Sequence, residues 1–224
     1  MSKIKIFKNK IILQGMTEED FSEYEKLLKK IRGNFLKRQH CYTTAIQFPP
    51  EYADQAVRLI QYGLENFEDG WFSTYTSYLF IGHIYEKSGN YPKAFDAYLS
   101  AKAALGPEQQ GYAEELSKDL LWMKLHIDFF QYSKELEDYF LYYEKTDAFS
   151  KSFINSEFRL TVAGIVIALH YGKTDEAKQL LERAKQISKP DYIGNLKDTL
   201  TKHQYHETLN QTPESIEFIQ NVKI

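Results

Sequence analysis

Residues 78–107 read YLFIGHIYEKSGNYPKAFDAYLSAKAALGP, and this stretch decides the fold. Tyr78, Ile81, Gly82 and Tyr85 recur at intervals of three and four, which puts their side chains on one face of an α-helix. Ser88-Gly89-Asn90 interrupts the pattern with residues that favour turns. Ala94, Tyr98 and Ala101 resume it on a second helix, which Gly106-Pro107 ends. Small residues at 82, 94 and 101 let two antiparallel helices approach closely. Large residues at 78, 81, 85 and 98 fill the grooves beside them. A pair of this kind cannot bury its apolar face alone, so neighbours must stack on it.

A second copy lies downstream in HYGKTDEAKQLLERAKQISKP, residues 170–190. Setting Gly89 on Gly172 is a shift of 83 residues, and the same shift carries Ala94 to Ala177, Tyr98 to Leu181, Ala101 to Ala184 and Pro107 to Pro190. The helix before this copy is degenerate, with Ile165 where Gly82 maps and Ala168 where Tyr85 maps. The interval between the copies holds an irregular helix pair near 111–131 and 133–146, the most aromatic part of the chain.

The first segment resembles a tetratricopeptide repeat, whose signature is a large residue, Leu-Gly, Tyr, Ala, an aromatic, Ala and a closing Pro. Tyr78 stands where that family often has Trp, and Ile81-Gly82 stands for Leu-Gly. Tyr85, Ala94, Tyr98 and Ala101 match, and Pro107 falls one place late. The resemblance implies an all-α, TPR-like array of antiparallel helix pairs wound as a right-handed α-solenoid. Its clearest repeats would span 75–107 and 158–190, within one helical domain over residues 16–224. In that family the first helix of each pair lines a concave groove. The resemblance therefore implies that Thr76, Leu79, His83 and Glu86 face a partner in one repeat, and Arg159, Val162, Val166 and Leu169 in the other.

Outward from these repeats the pattern stays helical. Thr17 with Asp20 three residues on resembles a capping box, and Phe21, Tyr24, Leu27, Leu28 and Ile31 share the face that follows. Gly33 is placed to end that helix in a left-handed conformation. A further helix over 35–47 stops at Pro49-Pro50, and Pro50 can open the next, which carries Tyr52, Ala56, Leu59, Ile60 and Gly63 before the turn Asp69-Gly70. Pro213, with Thr212 as cap, predicts a closing helix. Residues 1–15 differ: their Ile-rich alternation about Asn9 predicts a short N-terminal β-hairpin or extended arm.

Composition narrows the function classes. Apolar residues at 43% with a net charge of −3 exclude a disordered chain and argue against a broad grip on nucleic acid. Cys41 is the single cysteine, so no intramolecular disulfide or multi-cysteine zinc site can form. The longest apolar run, Leu160–Leu169, falls well short of the roughly 20 residues of a membrane span. These features predict a cytoplasmic protein.

Candidate chemistry is sparse. Gly172-Lys173-Thr174 resembles the tail of a phosphate-binding loop, but position 167 is Ile where the motif needs Gly, so a helix–helix turn capped by Thr174 is expected. His203 and His206 share a helix face without the further ligands a metal site needs. His40 and Cys41 are adjacent and so point about 100° apart on a helix, which predicts a buried thiol rather than a nucleophile. Lys29, Lys30, Arg32, Lys37 and Arg38 form one basic cluster, a solvated helix face or a surface for an acidic partner. No catalytic, cofactor-binding or metal residue is assigned, and no cofactor is expected. The expectation is a non-catalytic scaffold that binds a protein or peptide, with no nucleic acid and no membrane as partner. Two other readings are a toxin-neutralising immunity or antitoxin-like protein, and a peptide-sensing regulator of the bacterial pheromone-receptor kind.

Overall fold

The structure is a computed structural model that describes residues 3–68, 74–106, 110–128, 130–145, 154–189 and 213–224. Among the described residues it holds eleven α-helices and no strand. They divide into two compact units, Met1–Met123 and Lys124–Ile224. The first contains α1 (Lys3–Gln14), α2 (Glu18–Lys29), α3 (Asn34–Ala45), α4 (Ala53–Asn66), α5 (Thr74–Lys87) and α6 (Tyr91–Ala103). The helix α7 (Gln110–Ile127) begins in the first unit and ends in the second, which continues with α8 (Lys134–Lys145), α9 (Ile154–His170), α10 (Thr174–Ile187) and α11 (Pro213–Asn221). No helix among the described residues is long and apolar enough to cross a membrane.

The N-terminal segment corrects the sequence expectation: it is the helix α1, with no hairpin or arm. Its Ile residues read as alternating, but Phe7, Ile11 and Ile12 follow helical spacing and pack into the first unit's core, with Ile11 fully buried. Lys8 and Lys10 tie the helix down, with Nζ 2.7 Å from His40 Nδ1 and 2.7 Å from Asp20 Oδ1 respectively. Next, α2 starts as expected. The Thr17 hydroxyl accepts from the Asp20 amide at 3.1 Å, and the Asp20 carboxylate accepts from the Thr17 amide at 3.1 Å, so Asp fills the place usually held by Glu in the reciprocal cap. Gly33 does adopt φ +81, but α2 has already ended, with Lys30 as its C-cap in the right-handed region. Gly33 instead sits at the N-cap position of α3.

The first unit's core is built around Tyr24, Leu28, Cys41, Leu59 and Ile60, each fully buried. Tyr24 donates from Oη to the His40 carbonyl at 2.9 Å and lies 2.9 Å from the Thr44 hydroxyl, which gives its polar tip partners inside the core. Pro50 opens a single 3₁₀ turn, Pro50–Tyr52, ahead of α4. Arg38 is 3% exposed and departs from the expected basic surface cluster. Its guanidinium donates to the Tyr42 hydroxyl at 2.9 Å, the Ser77 hydroxyl at 3.0 Å and the Phe67 carbonyl at 3.4 Å. One side chain thus ties α3, the end of α4 and α5 together.

The helices α5 and α6 form the antiparallel pair read from residues 78–107. The turn between them holds Gly89 at φ +74, and Asn90 caps α6 by accepting from the Lys93 amide at 3.3 Å. Ala94, Tyr98 and Ala101 are fully buried against α5. In the second unit α9 and α10 repeat this plan. Gly172 takes φ +67 in the connecting turn, and Ala177, Leu181 and Ala184 are buried. The position of the small residue on α9 differs from the expected register. Ile165, which aligns with Gly82, is fully buried. The close approach is made one residue earlier at Gly164, where an added Cβ would stand 2.9 Å from the Phe140 ring and 3.0 Å from Leu180. Thr174 is the first residue of α10 and its hydroxyl donates to the Gly172 carbonyl at 3.5 Å. The N-cap position belongs to Lys173, so the expected Thr174 cap is absent. Asp69-Gly70, Pro107, Pro190, His203, His206 and Thr212 lie outside the described residues.

Candidate partner-binding face

The first expected face is on α5. Thr76, Leu79, His83 and Glu86 follow one another at intervals of three and four, so they line one side of that helix. Thr76, Leu79 and Glu86 are half-buried and His83 is exposed. What orients this face is the buried ring beneath it. Gly82 has no side chain, and the Tyr98 ring of α6 occupies the space. From there the Tyr98 hydroxyl donates to Glu86 Oε2 at 2.6 Å and lies 2.9 Å from His83 Nδ1. A phenol has one proton to give. With that proton on the Glu86 contact, the phenol oxygen is free to accept from His83 Nδ1. The imidazole also meets the Tyr98 ring edge-on, at 5.6 Å between centroids and 78° between planes. His83 is therefore held in one orientation by both a hydrogen bond and a ring contact, while half of its side chain stays open to solvent.

The second expected face is arranged differently. Arg159, Val162 and Val166 are buried on α9, with Val162 fully so, and Leu169 alone of the four is exposed. The register explains this: α9 is apolar around most of its circumference, and Thr161, Ala163, Ile165 and Ala168 are buried as well.

Beside Leu169 the structure assembles a cluster that sequence reasoning missed. The Tyr132 ring lies flat on His170, at 3.7 Å between centroids and 5° between planes. Its hydroxyl donates to Glu137 Oε2 at 2.6 Å, and the Tyr171 hydroxyl donates to the same oxygen at 3.1 Å. Lys134 Nζ lies 2.7 Å from that oxygen too. The ammonium and the two phenols together hold the Glu137 carboxyl down to about 2, and the hydrogen bond to that carboxylate in turn pushes the Tyr132 phenol up. Tyr171 is about half exposed, at 51%. The signal available beforehand was the aromatic density of residues 122–143. The pairing with His170-Tyr171 was invisible because it joins residues about forty positions apart.

Among the described residues no group of three His, Cys, Asp or Glu side chains is placed to hold a metal ion. Cys41 and His40 do not form a nucleophile–base pair. His40 Nδ1 contacts Lys8, and burial pushes the fully covered Cys41 thiol up to about 12. The chain matches no protein-family model, no curated protein and no solved structure.

Proposed function

We propose that the protein is a helical scaffold of the tetratricopeptide kind that binds a protein or peptide segment along α5. The observation that carries this reading is the α5–α6 pair. Its two helices meet through Gly82 and Tyr98, and the same ring hydroxyl fixes the outward His83 from below. A face organised in this way is rigid before it meets a partner, which reduces the side-chain ordering that binding costs. Leu79 supplies an apolar contact. Thr76, His83 and Glu86 supply polar ones on a half-covered helix side, a mixture suited to a segment with apolar anchors and some charge. The recurrence of the pair as α9–α10, with the same glycine turn and with Ala177, Leu181 and Ala184 buried at the positions of Ala94, Tyr98 and Ala101, supports a repeat array over a one-off helix hairpin.

The test is affinity capture from the native host by the wild type and by Leu79→Glu and His83→Glu variants, with partners identified by mass spectrometry. The reading expects a partner that the wild type retains and both variants lose. Undiminished capture by both variants would remove α5 as the binding face.

A further inference from the structure

Among the described residues, one end of the first unit collects cations that form no ion pair with a carboxylate. Lys10 meets Asp20, and the ring of Phe7 lies 6.2 Å from that of Tyr24, so earlier residues of α1 meet later residues of α2 and the two helices run antiparallel. A four-residue connection turns the chain back into α3, where Tyr24 reaches His40 and Thr44. The start of α1, the end of α2 and the start of α3 therefore share one end of the bundle. The chain has no Asp or Glu in residues 1–17 or 26–50, the segments that bring these cations there, and the end of α4 with Glu68 borders them. Lys5, Lys29, Lys30 and Arg32 are exposed there, and none forms an ion pair among the described residues. Phe35 and Leu36 stand beside them, 38% and 45% exposed. The corner projects: Arg32 through Leu36 are all exposed, and a Cβ added to Gly33 would meet nothing within 4 Å. Glu68 borders it only on the α4 side, where its carbonyl accepts from Asn34 at 3.2 Å.

We propose that this corner docks on an anionic membrane surface, with the four cations among the lipid headgroups and Phe35 and Leu36 dipping into the interface. A bilayer interface offers negative charge and apolar depth together, which is what the corner presents in complement. A nucleic-acid backbone offers the charge but nothing for the two apolar side chains. An acidic peptide would need a groove to cover them, and this corner projects instead of receding. The sequence expectation of no membrane rested on the lack of a spanning helix, and a peripheral contact needs none.

The experiment is flotation of the full-length protein with phosphatidylcholine vesicles, with and without about 30 mol % phosphatidylserine, at about 0.15 M salt. The wild type should float only with phosphatidylserine and be released as salt rises. Each cation at such a surface is worth about fivefold in partitioning, so Lys29→Glu/Lys30→Glu/Arg32→Glu should lose about a hundredfold or more. Phe35→Ser/Leu36→Ser should lose less and keep the salt dependence. Circular dichroism checks folding, and should the charge reversals lower the melting temperature, Lys29→Gln/Lys30→Gln/Arg32→Gln carries the comparison. Absence of phosphatidylserine-dependent flotation, or equal flotation of wild type and the charge variants, overturns the proposal. Retention on a polyglutamate resin without vesicle binding would give the surface to an acidic protein and overturn it equally.

Discussion

A Cβ built on Gly82 would stand 2.3 Å from Cε1 of Tyr98, closer than any real contact allows, so α5 and α6 meet only because one position is empty and the other fills it. The ring lies inside the pair with no exposed surface and cannot swing away. Gly82→Ala should therefore destabilise the first unit by about 1–3 kcal/mol, the usual cost of overpacking. Adding Tyr98→Leu should recover part of that loss, so a double-mutant cycle read by chemical denaturation would show coupling between the two sites. Gly164→Ala makes a milder comparison, since its nearest neighbour is a ring edge at 2.9 Å. Additive losses at Gly82 and Tyr98 would mean that the ring is not what limits the approach.

The same residues show how much of the architecture was legible beforehand. The pair at 78–107, its glycine turn and its downstream copy were readable, because helical period and turn chemistry are local properties. On α9 the register slipped, since a helix apolar on most sides carries no phase from which to choose between Gly164 and Ile165. The alternation of Lys and Ile in α1 predicts a hairpin or extended arm, while the contacts that hold it as a helix, to Asp20 and His40, come from other helices. At the candidate face, Thr76, Leu79, His83 and Glu86 were nameable from spacing. The buried hydroxyl that orients His83 was not, because it comes from another helix. Arg38 sits in a run of surface cations, and nothing in its neighbours marks it as the buried one.

Arg38 gives the second prediction. Its guanidinium satisfies three separate oxygens on three elements, and no carboxylate is among them. A lysine ammonium keeps the charge but cannot span the fork, so Arg38→Lys should leave at least the Phe67 carbonyl unsatisfied and cost about 1–3 kcal/mol. Thermal unfolding of the first unit is the measurement. A variant as stable as the wild type would show that the fork geometry is not needed.

In the second unit, Glu137 makes an acid-sensitive contribution to stability. Its carboxyl is held at about 2, against an ordinary value of 4.5, first by the Lys134 hydrogen bond and then by that of Tyr132. A lowered carboxyl means that the folded form holds its proton less tightly than the unfolded form. The stabilisation is therefore complete above 4.5 and lost as pH falls through about 2. Tyr132→Phe should raise the Glu137 value and move the acid loss to higher pH, which a carboxyl-carbon NMR titration reads directly. An unmoved titration would show that the phenol does not hold the carboxylate.

Cys41 should be chemically silent in the folded chain. Its thiol is fully covered and pushed up to about 12 by burial, so almost no thiolate is present near neutrality. A disulfide-exchange reagent such as 5,5′-dithiobis(2-nitrobenzoate) should react only as fast as the first unit opens, and at full rate once denaturant is added. Rapid stoichiometric labelling of the native protein would contradict the buried placement.

The contact between Lys8 and His40 makes the attachment of α1 dependent on pH. Lys8 Nζ lies 2.7 Å from His40 Nδ1, and Tyr24 and Cys41 are the other titratable groups packed around the pair. Burial, and then the Lys8 charge, lower His40 from its ordinary 6.5, while burial also lowers Lys8. A base lowered in the folded state is protonated more readily in the unfolded one. Stability should therefore fall as pH drops below 6.5 and level off once His40 is protonated in the folded chain as well. Protonation places an imidazolium against the ammonium, and the part that can yield is α1, whose Phe7, Ile11 and Ile12 face would then leave the core. Hydrogen exchange of the α1 amides, corrected for the intrinsic rate, should accelerate between neutral pH and about pH 5 in the wild type. In His40→Gln that acceleration should be absent, and in Lys8→Met reduced, because the facing ammonium is gone while burial, the larger cause, remains. A wild-type α1 no faster at the lower pH, or a Lys8→Met variant that keeps the full effect, would show that the pair does not govern the helix.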